Sequence, residues 1–183
     1  RKTFKYGKIY ILNGVRKTDI NKFILENKII PIINSIKNLK QIELTNKKID
    51  IGLHIDTGIN RLGIPINDLK ELNINKKIRI ILLLSHLASA DEVNNQYNNR
   101  QLLIFKKISK KYFRSNLKSI SNSAGTILGK KYHFDLIRPG IALYGGHNNT
   151  SLKKNIKPVI KLKAEILQIK EINTNEYVGY NQT

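Results

Sequence analysis

The sequence lacks several features that define whole classes of protein. It contains no cysteine, which excludes both a disulfide framework and a thiolate metal site. No apolar run approaches the roughly 20 residues of a membrane-spanning helix. No charged-then-apolar leader opens the chain, and methionine is absent throughout. We therefore expect a cytoplasmic protein with no membrane partner, whose numbering begins inside a longer protein or a broken reading frame.

Acidic residues are scarce, with Asp+Glu 13 against Lys+Arg 33. A basic excess of this size can neutralise nucleic-acid phosphates. However, the charge is mostly scattered lysine, and no aromatic residues interleave with it for base stacking. The composition therefore indicates solubility and non-specific adhesion rather than a specific nucleic-acid partner. A non-enzymatic basic remnant that adheres to nucleic acid remains an alternative.

Short apolar runs alternate with helical stretches along most of the chain. The runs predict strands at residues 9–14, 29–34, 49–56, 78–85, 117–121 and 134–138. The helical stretches cover residues 19–26, 35–44, 67–72, 96–111 and 124–129. Ser89 and Glu92 have the spacing of a capping box, which predicts that they start the fourth helix. Nearly continuous apolar strands separated by helices indicate an α/β fold with a buried parallel sheet.

Doubly wound sheets and (β/α)₈ barrels both fit this pattern. The unusual loops all follow the carboxyl ends of strands, at residues 57–60, 86–91, 122–125 and 139–141. In (β/α)₈ barrels the active site lies on that face, and a phosphate site commonly follows the last two strands. The pattern therefore favours a partial (β/α)₈ TIM barrel of about six strand–helix units over residues 1–146, where a closed barrel has eight.

The pattern changes after residue 146. Residues 147–157 are polar and resemble a linker. Residues 158–170 (PVIKLKAEILQIK) alternate with a period of two, which is typical of a half-buried antiparallel strand. We expect residues 158–183 to be the start of a C-terminal all-β domain.

Four motifs in fixed order carry a family resemblance. They are HIDTGINRLG at residues 54–63, SHLASADE at 85–92, NSAG at 122–125 and HFDLIRPGIALYG at 133–145. PVIKLK at 158–163 and VGYNQT at 178–183 follow them. Together they resemble alanine racemase, an isomerase that depends on pyridoxal phosphate (PLP) and combines an N-terminal barrel with a C-terminal β domain. The resemblance implies interconversion of L-alanine and D-alanine, which supplies D-alanine for peptidoglycan.

The resemblance also assigns cofactor-binding residues. Arg138 would donate a hydrogen bond to the pyridine nitrogen of PLP, and as a donor-only group it would leave that nitrogen without its own proton. Ser123 would bind the phosphate through its hydroxyl, and Gly140 and Ile141 would bind it through their backbone N–H groups. Asn122 is a weaker possibility in the same region.

Three further residues gain roles from the resemblance. His86 would lie beside the cofactor ring and bridge Arg138 to the catalytic tyrosine. Arg61 would contact the cofactor oxygen and the substrate carboxylate, which suits a guanidinium fork. Tyr180 matches the catalytic base that takes the α-proton from L-alanine, and its reference pKa near 10 requires nearby cations to favour the phenolate. This tyrosine acts in the other subunit of the family's homodimer.

Two departures from the family pattern affect the expected activity. The family's Schiff-base lysine lies on the first barrel strand, and the first two strand–helix units look absent from this chain, as does most of the C-terminal domain. His54 stands where the family commonly has a lysine modified to a carbamate that orients the arginine at the position of Arg61. We therefore expect a degenerate or split racemase fragment that binds PLP poorly and has little activity alone. A complementing N-terminal fragment would restore the activity.

A metal-dependent hydrolase barrel is the rival enzyme. Its ligands would come from His54, Asp56, His86, His133 and Asp135. Against this, His133 and Asp135 begin the last predicted strand, at the end of the barrel opposite to His86.

Overall fold

The chain folds around one parallel β-sheet. The computed structural model describes residues 6–16, 18, 20, 24, 28–113, 116–146, 153 and 155–181. Within them the strands are β1 (Tyr10–Ile11), β2 (Ile30–Ile33), β3 (Ile49–Asp56), β4 (Ile64–Pro65), β5 (Ile78–Leu84) and β6 (Leu117–Ser119). The sheet order is β1-β2-β3-β5-β6, β4 pairs with the end of β3, and every pairing is parallel.

This strand order decides between the two parallel architectures. A doubly wound sheet reverses its strand order at a switch point, whereas a (β/α)₈ barrel adds each strand beside the previous one. Here the order along the main path follows the chain without reversal. The prediction of a partial (β/α)₈ barrel is confirmed.

Within the described residues, two α-helices pack on the outer face of the sheet. Helix α1 spans Ile36–Glu43, and the Ser35 hydroxyl caps it by accepting a hydrogen bond from the backbone N–H of Asn38 at 3.1 Å. Helix α2 spans Gln96–Tyr112. Between residues 28 and 146, the described residues also form four 3₁₀ helices, at Ile66–Glu71, Ala124–Ile127, Lys130–Tyr132 and Ile141–Tyr144.

The core lies mainly between the sheet and the helices. Alternate residues of the strands point outward and pack against apolar side chains of the helices, among them Ile33, Ile51, Leu53, Ile55, Leu83, Leu102 and Phe105, all at most 1% exposed. A smaller cluster of Ile32, Leu82 and Leu84 covers the inner face. Gly52 of β3 faces the side chains of Ile32 and Leu82. A Cβ at this position would be 2.3 Å from the Ile32 side chain, so the glycine lets the strands pack closely.

The start of α2 differs from the prediction. Ser89 and Glu92 form a separate turn, in which the N–H of Glu92 donates to the Ser89 carbonyl at 3.1 Å. The helix cap is Asn95 instead. The reason is the buried Asn98 side chain, which donates to the carbonyls of both Ser89 and Glu92 at 3.1 and 3.0 Å. These bonds hold the preceding turn outside the helix.

The prediction of a strand at residues 134–138 is wrong. The N–H groups of Asp135 and Leu136 both donate to the Lys118 carbonyl at 3.1 and 3.2 Å, and the N–H of Arg138 donates to Ser121 at 3.0 Å. The segment thus follows β6 without a regular ladder. Phe134 explains this, because its φ of 51° lies in the left-handed region and turns the chain where the strand would begin.

The strand predicted at residues 158–170 is also not formed. Residues 156–170 adopt no regular secondary structure, and Leu162 and Leu167 are each 96% exposed. Period-two alternation makes a strand only where a neighbouring strand accepts its backbone hydrogen bonds. The C-terminal β domain and its boundaries stay a prediction.

Two other predicted segments lie mostly outside the described residues: the helix at 19–26 and the linker at 147–157. Among the described residues, no helix combines the length and the hydropathy that crossing a membrane requires.

Candidate functional site

Polar side chains collect at the carboxyl ends of the strands. Asn34 follows β2, His54 lies near the end of β3, Ser85 and His86 follow β5, and Ser119 ends β6. Because neighbouring parallel strands end on the same edge, these side chains share one rim. Arg138 reaches this rim from the segment that follows β6.

Arg138 is held across the ends of two strands. One terminal nitrogen, Nη2, donates to the backbone carbonyl of Ser85 at 2.6 Å, and the other, Nη1, donates to the Ser119 hydroxyl. Burial lowers the pKa of Arg138 to about 10, so the guanidinium stays charged at neutral pH. These bonds use two of its five N–H donors, and the remaining donors are available to a ligand on the rim.

His86 lies close to two guanidinium groups. Burial, Arg138 and Arg61, in that order, lower its pKa to about 4. The imidazole is therefore neutral at physiological pH and carries one N–H donor and one acceptor nitrogen. Its backbone carbonyl accepts a hydrogen bond from the Gln101 side chain at 3.0 Å, which fixes the chain at this point.

His54 belongs to the same cluster, although the sequence marked it only as a departure from the family pattern and as a candidate metal ligand. The side chain is 6% exposed, and its Nδ1 lies 2.7 Å from Oδ1 of Asn34. Burial lowers the pKa of His54 to about 4, with further contributions from Arg138, His86 and Arg61, while Asp56 acts in the opposite direction. Sequence reasoning missed Asn34. A polar residue directly after the apolar run IIPII was the signal that could have identified it.

The two loops predicted to bind phosphate do meet. The Ser123 hydroxyl oxygen accepts hydrogen bonds from the backbone N–H groups of Gly140 at 2.8 Å and Ala142 at 3.3 Å. The Gly140 N–H therefore donates within the protein, and its role toward a phosphate stays a prediction. Because a hydroxyl that accepts two bonds keeps its own proton, Ser123 can still donate to an anionic oxygen. The role of the Ile141 N–H stays a prediction.

Asn122 shapes the turn that carries Ser123. Its Oδ1 accepts the backbone N–H of Gly125 at 2.8 Å and closes the turn before the 3₁₀ helix at Ala124–Ile127. This bond fixes the turn that carries Ser123 beside the neighbouring loop.

Arg61 lies on a loop that is anchored at both sides while its side chain is exposed. The Asp56 carboxylate accepts the backbone N–H groups of Gly58 at 2.8 Å and Asn60 at 3.2 Å. Tyr97 of α2 donates its hydroxyl to the Gly58 carbonyl at 2.9 Å. The loop therefore holds the Cα of Arg61 near the rim, while its guanidinium is exposed.

A second buried network supports the rim and was not anticipated. Thr57 and Ser85 share a hydrogen bond of 2.7 Å between their hydroxyls. Gln101 of α2 donates to Thr57 at 3.2 Å and accepts the N–H of Ala88 at 2.9 Å. All three side chains are at most 3% exposed. The network ties the loops after β3 and β5 to α2.

The structure does not bring Tyr180 into this cluster. Its side chain is 98% exposed, so it does not pack against the rim of its own chain. The role of Tyr180 in a partner subunit stays a prediction.

The metal-dependent alternative finds no ligand set among the described residues. Among residues 6–16, 28–113, 116–146 and the other described positions, no three His, Asp or Glu side chains come together as a metal site would require. His133 instead pairs with the Thr126 carbonyl at 2.8 Å, and Asp135 accepts the N–H of Lys118 at 2.8 Å.

A cleft of about 740 Å³ opens at the opposite end of the strands. Six cationic side chains line it: Lys8, Lys28, Lys48, Lys76, Lys77 and Arg79. The one carboxylate in the lining, Asp50, is neutralised by a bidentate pair with Arg79, with both bonds at 2.7 Å. This cleft is strongly basic and separate from the rim.

Comparison with known proteins gives consistent matches over nearly the whole chain. The family described as "Alanine racemase, N-terminal domain" matches residues 1–148. An alanine racemase of Rickettsia canadensis is 40% identical over 186 residues, covering 96% of this chain and 49% of that protein. The biosynthetic alanine racemase of Agrobacterium fabrum is 36% identical over 184 residues, covering 97% and 46%. The chain thus spans about half the length of these curated relatives.

Solved structures show the same likeness. The biosynthetic alanine racemase of Pseudomonas aeruginosa superposes with a TM-score of 0.83 at 26% identity, covering 100% of this chain and 53% of that one. The alanine racemase of Bartonella henselae, which carries covalently bound pyridoxal phosphate, superposes with a TM-score of 0.74 at 33% identity. That match covers 82% of this chain and 46% of the other.

Proposed function

This chain belongs to the alanine racemase family, and from that membership we propose that its rim forms part of a site for PLP-dependent interconversion of L-alanine and D-alanine. The observation that carries the proposal is the placement of Arg138. Its charged guanidinium is anchored across the ends of β5 and β6, beside the neutral imidazole of His86. Such a fixed donor beside a neutral ring suits an aromatic nitrogen acceptor.

The family is PLP-dependent, and the residues on the rim fit that cofactor in part. Ser123 keeps a hydroxyl proton for a phosphate oxygen, and a Cβ at Gly140 would meet nothing within 4 Å, so the rim is open there. Against this, the Gly140 N–H is used internally. Arg138 would hold the ring nitrogen and Ser123 the phosphate, with Ile141 as a further backbone donor.

When bound, PLP supplies an electron-withdrawing ring that stabilises negative charge at the α-carbon of the substrate. Arg138 limits that effect, because its pKa of about 10 prevents it from giving a proton to the ring nitrogen at neutral pH. A weaker electron sink restricts side reactions and suits simple proton exchange at one carbon. Arg61 would bind the alanine carboxylate with its exposed guanidinium.

Proton removal is proposed for Tyr180 of a partner subunit in a homodimer. The match of VGYNQT at residues 178–183 to the family motif supports the proposal. His86 would then link Arg138 to that tyrosine. Its neutral imidazole passes a hydrogen bond without adding a charge.

We propose that the chain alone has little activity, since it spans about half of its relatives and carries no residue matched to the Schiff-base lysine. The test is to mix it with a polypeptide that carries the first two strand–helix units of a relative. Alanine racemisation and the visible absorbance of bound PLP are then measured. Both signals are expected from the mixture and neither from the separate chains.

A pair of arginine variants makes this test specific. Arg138→Gln should reduce the racemisation rate of the mixture strongly, while Arg100→Gln, on the exposed side of α2, should leave it unchanged. If the mixture binds no PLP, the complementation proposal is wrong. Equal racemisation rates for the two variants would show that Arg138 is not part of the site.

The basic cleft favours a second candidate function, adhesion to nucleic-acid backbones. Six cations around one cavity supply phosphate contacts but no base readout, so retention should fall steeply with salt. The double variant Lys76→Glu/Lys77→Glu should weaken RNA retention, whereas Lys106→Glu/Lys107→Glu on α2 should weaken it less. Equal losses would show adhesion by the whole surface.

A further inference from the structure

Asn13 and Gly14 form the only Asn-Gly dipeptide of this sequence, shortly after the end of β1. Because β1 runs parallel to β2, its carboxyl end lies on the same edge as those of the other strands, and the dipeptide lies on the rim. In an Asn-Gly pair the side-chain carbonyl carbon can reach the next backbone nitrogen, since glycine has no Cβ beside that nitrogen and its backbone turns freely. The pair therefore combines an electrophilic carbon and a nucleophilic nitrogen within one loop.

The structure leaves both reacting groups of this pair accessible. The Asn13 side chain is exposed, and no hydrogen bond joins its amide to the described part of the chain. The backbone hydrogen bonds of turns and loops among the described residues do not include the Gly14 N–H. Neither group has to leave a partner before the carbon and the nitrogen can meet.

Two other asparagines precede a small residue, and both are held by the fold. Asn34, which precedes a serine, is 7% exposed, and its Nδ2 donates to the Leu12 carbonyl at 2.9 Å. Asn122 also precedes a serine, and its Oδ1 accepts the Gly125 N–H at 2.8 Å. Each side chain would have to break its hydrogen bond before it could turn toward its own backbone. Among these three positions, only Asn13 is ready to react in the folded chain.

We propose that Asn13 is a site of spontaneous deamidation, which converts a neutral amide on the rim into a carboxylate. The Gly14 backbone nitrogen gives its proton to water and bonds to Cγ of Asn13. The bond from Cγ to the side-chain nitrogen breaks, and that nitrogen takes up a proton and leaves as ammonia. Water then opens the resulting five-membered imide. Opening at Cγ gives aspartate, and opening at the main-chain carbonyl gives isoaspartate, so one water is consumed for each ammonia released.

The modification changes the rim as well as the loop. The new carboxylate is negatively charged at neutral pH. The loop that carries it also anchors Asn34, because the Leu12 carbonyl accepts the Asn34 amide and a Cβ at Gly14 would lie 3.5 Å from the same nitrogen. Oδ1 of Asn34 in turn lies 2.7 Å from Nδ1 of His54. Isoaspartate adds a carbon to the main chain between Leu12 and Gly14, so it should disturb the Asn34–His54 pair.

The test is incubation of the folded chain at neutral pH and body temperature, followed by tryptic peptide mapping with mass spectrometry. Trypsin releases the three asparagines in separate peptides, at residues 9–16, 29–37 and 119–130, and each peptide contains a single asparagine. Peptide 9–16 should be replaced by two products that both carry the mass increase from amide to acid. Only one of them should be methylated by a protein isoaspartyl methyltransferase. The other two peptides should stay unmodified.

Unfolding in urea is the control for the role of the structure. In urea the peptides that contain Asn34 and Asn122 should also be deamidated, because their hydrogen bonds are lost. Asn13→Gln is the matched variant, since its longer side chain would need a six-membered ring, and its peptide should stay unmodified in both states. Circular dichroism checks that the chains incubated without urea are folded.

A peptide 9–16 that stays intact in the folded chain but reacts in urea overturns the proposal. Equal deamidation of the three asparagines in the folded chain also overturns it, because the fold would then make no distinction between them.

The effect on the rim is measured by NMR of the imidazole protons of His54, which are assigned by their loss in His54→Gln. These signals should shift in the incubated wild-type chain and stay constant in the incubated Asn13→Gln chain. Unchanged signals in a fully deamidated chain would show that Asn13 has no link to the rim. Neither measurement needs a cofactor, so failure of this proposal and failure of the racemase proposal are distinguishable.

Discussion

Acidification should destabilise the chain through His54. In the unfolded chain its pKa is near 6.5, and in the folded chain burial and nearby cations lower it to about 4. The unfolded state therefore binds the proton first as the pH falls. This contribution to stability is fully present above pH 6.5 and is lost as the pH falls toward 4.

The size of the effect follows from the pKa difference. A shift of about 2.5 units corresponds to about 3 kcal/mol in full, at about 1.36 kcal/mol per unit. About 2 kcal/mol of this should be lost between pH 7 and pH 5. The net stability of a domain is only about 5–15 kcal/mol, so the loss is easily measured. His86 should add a smaller loss in the same direction, because it is more exposed and solvent screens it.

Urea unfolding followed by circular dichroism at pH 7 and pH 5 tests this. The wild-type chain is compared with His54→Gln, which cannot take up the proton. The quantity compared is the change between the two pH values, so any loss of stability from the substitution itself cancels. The variant should lose about 2 kcal/mol less than the wild type. Equal losses would refute the assignment of a buried, neutral imidazole.

Three further variants test the packing around the site. Phe105→Ala should cost about 3–5 kcal/mol in urea unfolding, because Phe105 is 0% exposed, whereas Leu103→Ala on the same helix, 58% exposed, should cost under about 1 kcal/mol. Gln101→Leu should cost about 1–3 kcal/mol by the same assay, because it leaves buried polar partners without a bond, and a neutral result would contradict the role of that network. Gly63→Ala should lower the thermal midpoint more than Gly129→Ala; both have positive φ (116° and 102°), but only at Gly63 would the Cβ meet backbone, at 2.8 Å. Equal shifts would show that backbone strain alone matters.

Local pattern predicted the regular elements well where burial and propensity agree. Residues 49–56 form β3 with the predicted bounds, and residues 78–85 form β5 to within one residue. A continuous apolar run flanked by polar turns has few other ways to be buried. The pattern did not predict the turn at Phe134, where a positive φ changes the direction of the chain.

The strand predicted at residues 158–170 failed for a different reason. Its alternating pattern states which side chains could be covered, but not whether a neighbouring strand exists to pair with them. Pairing is a long-range property, and the described part of the chain offers this segment no partner strand.

The residues of the site also divide into those that the motifs predicted and those that only the structure revealed. The motifs marked Arg138, His86 and Ser123 through the family resemblance that these motifs carry. They did not mark Asn34, and they did not indicate that the Ser123 hydroxyl accepts a hydrogen bond from the Gly140 N–H. Both contacts join residues that are distant in sequence, and only the packed structure decides such pairs.

The sequence by itself determined the parallel strands, the face on which the polar loops gather and the family to which the motifs point. Each of these depends on residue type and on spacing along the chain. Only the tertiary structure decided the charge states of His54 and His86, the two anchors of Arg138 and the commitment of the Gly140 N–H. Those depend on burial and on distances between atoms far apart in the chain, and such distances exist only once the chain has folded.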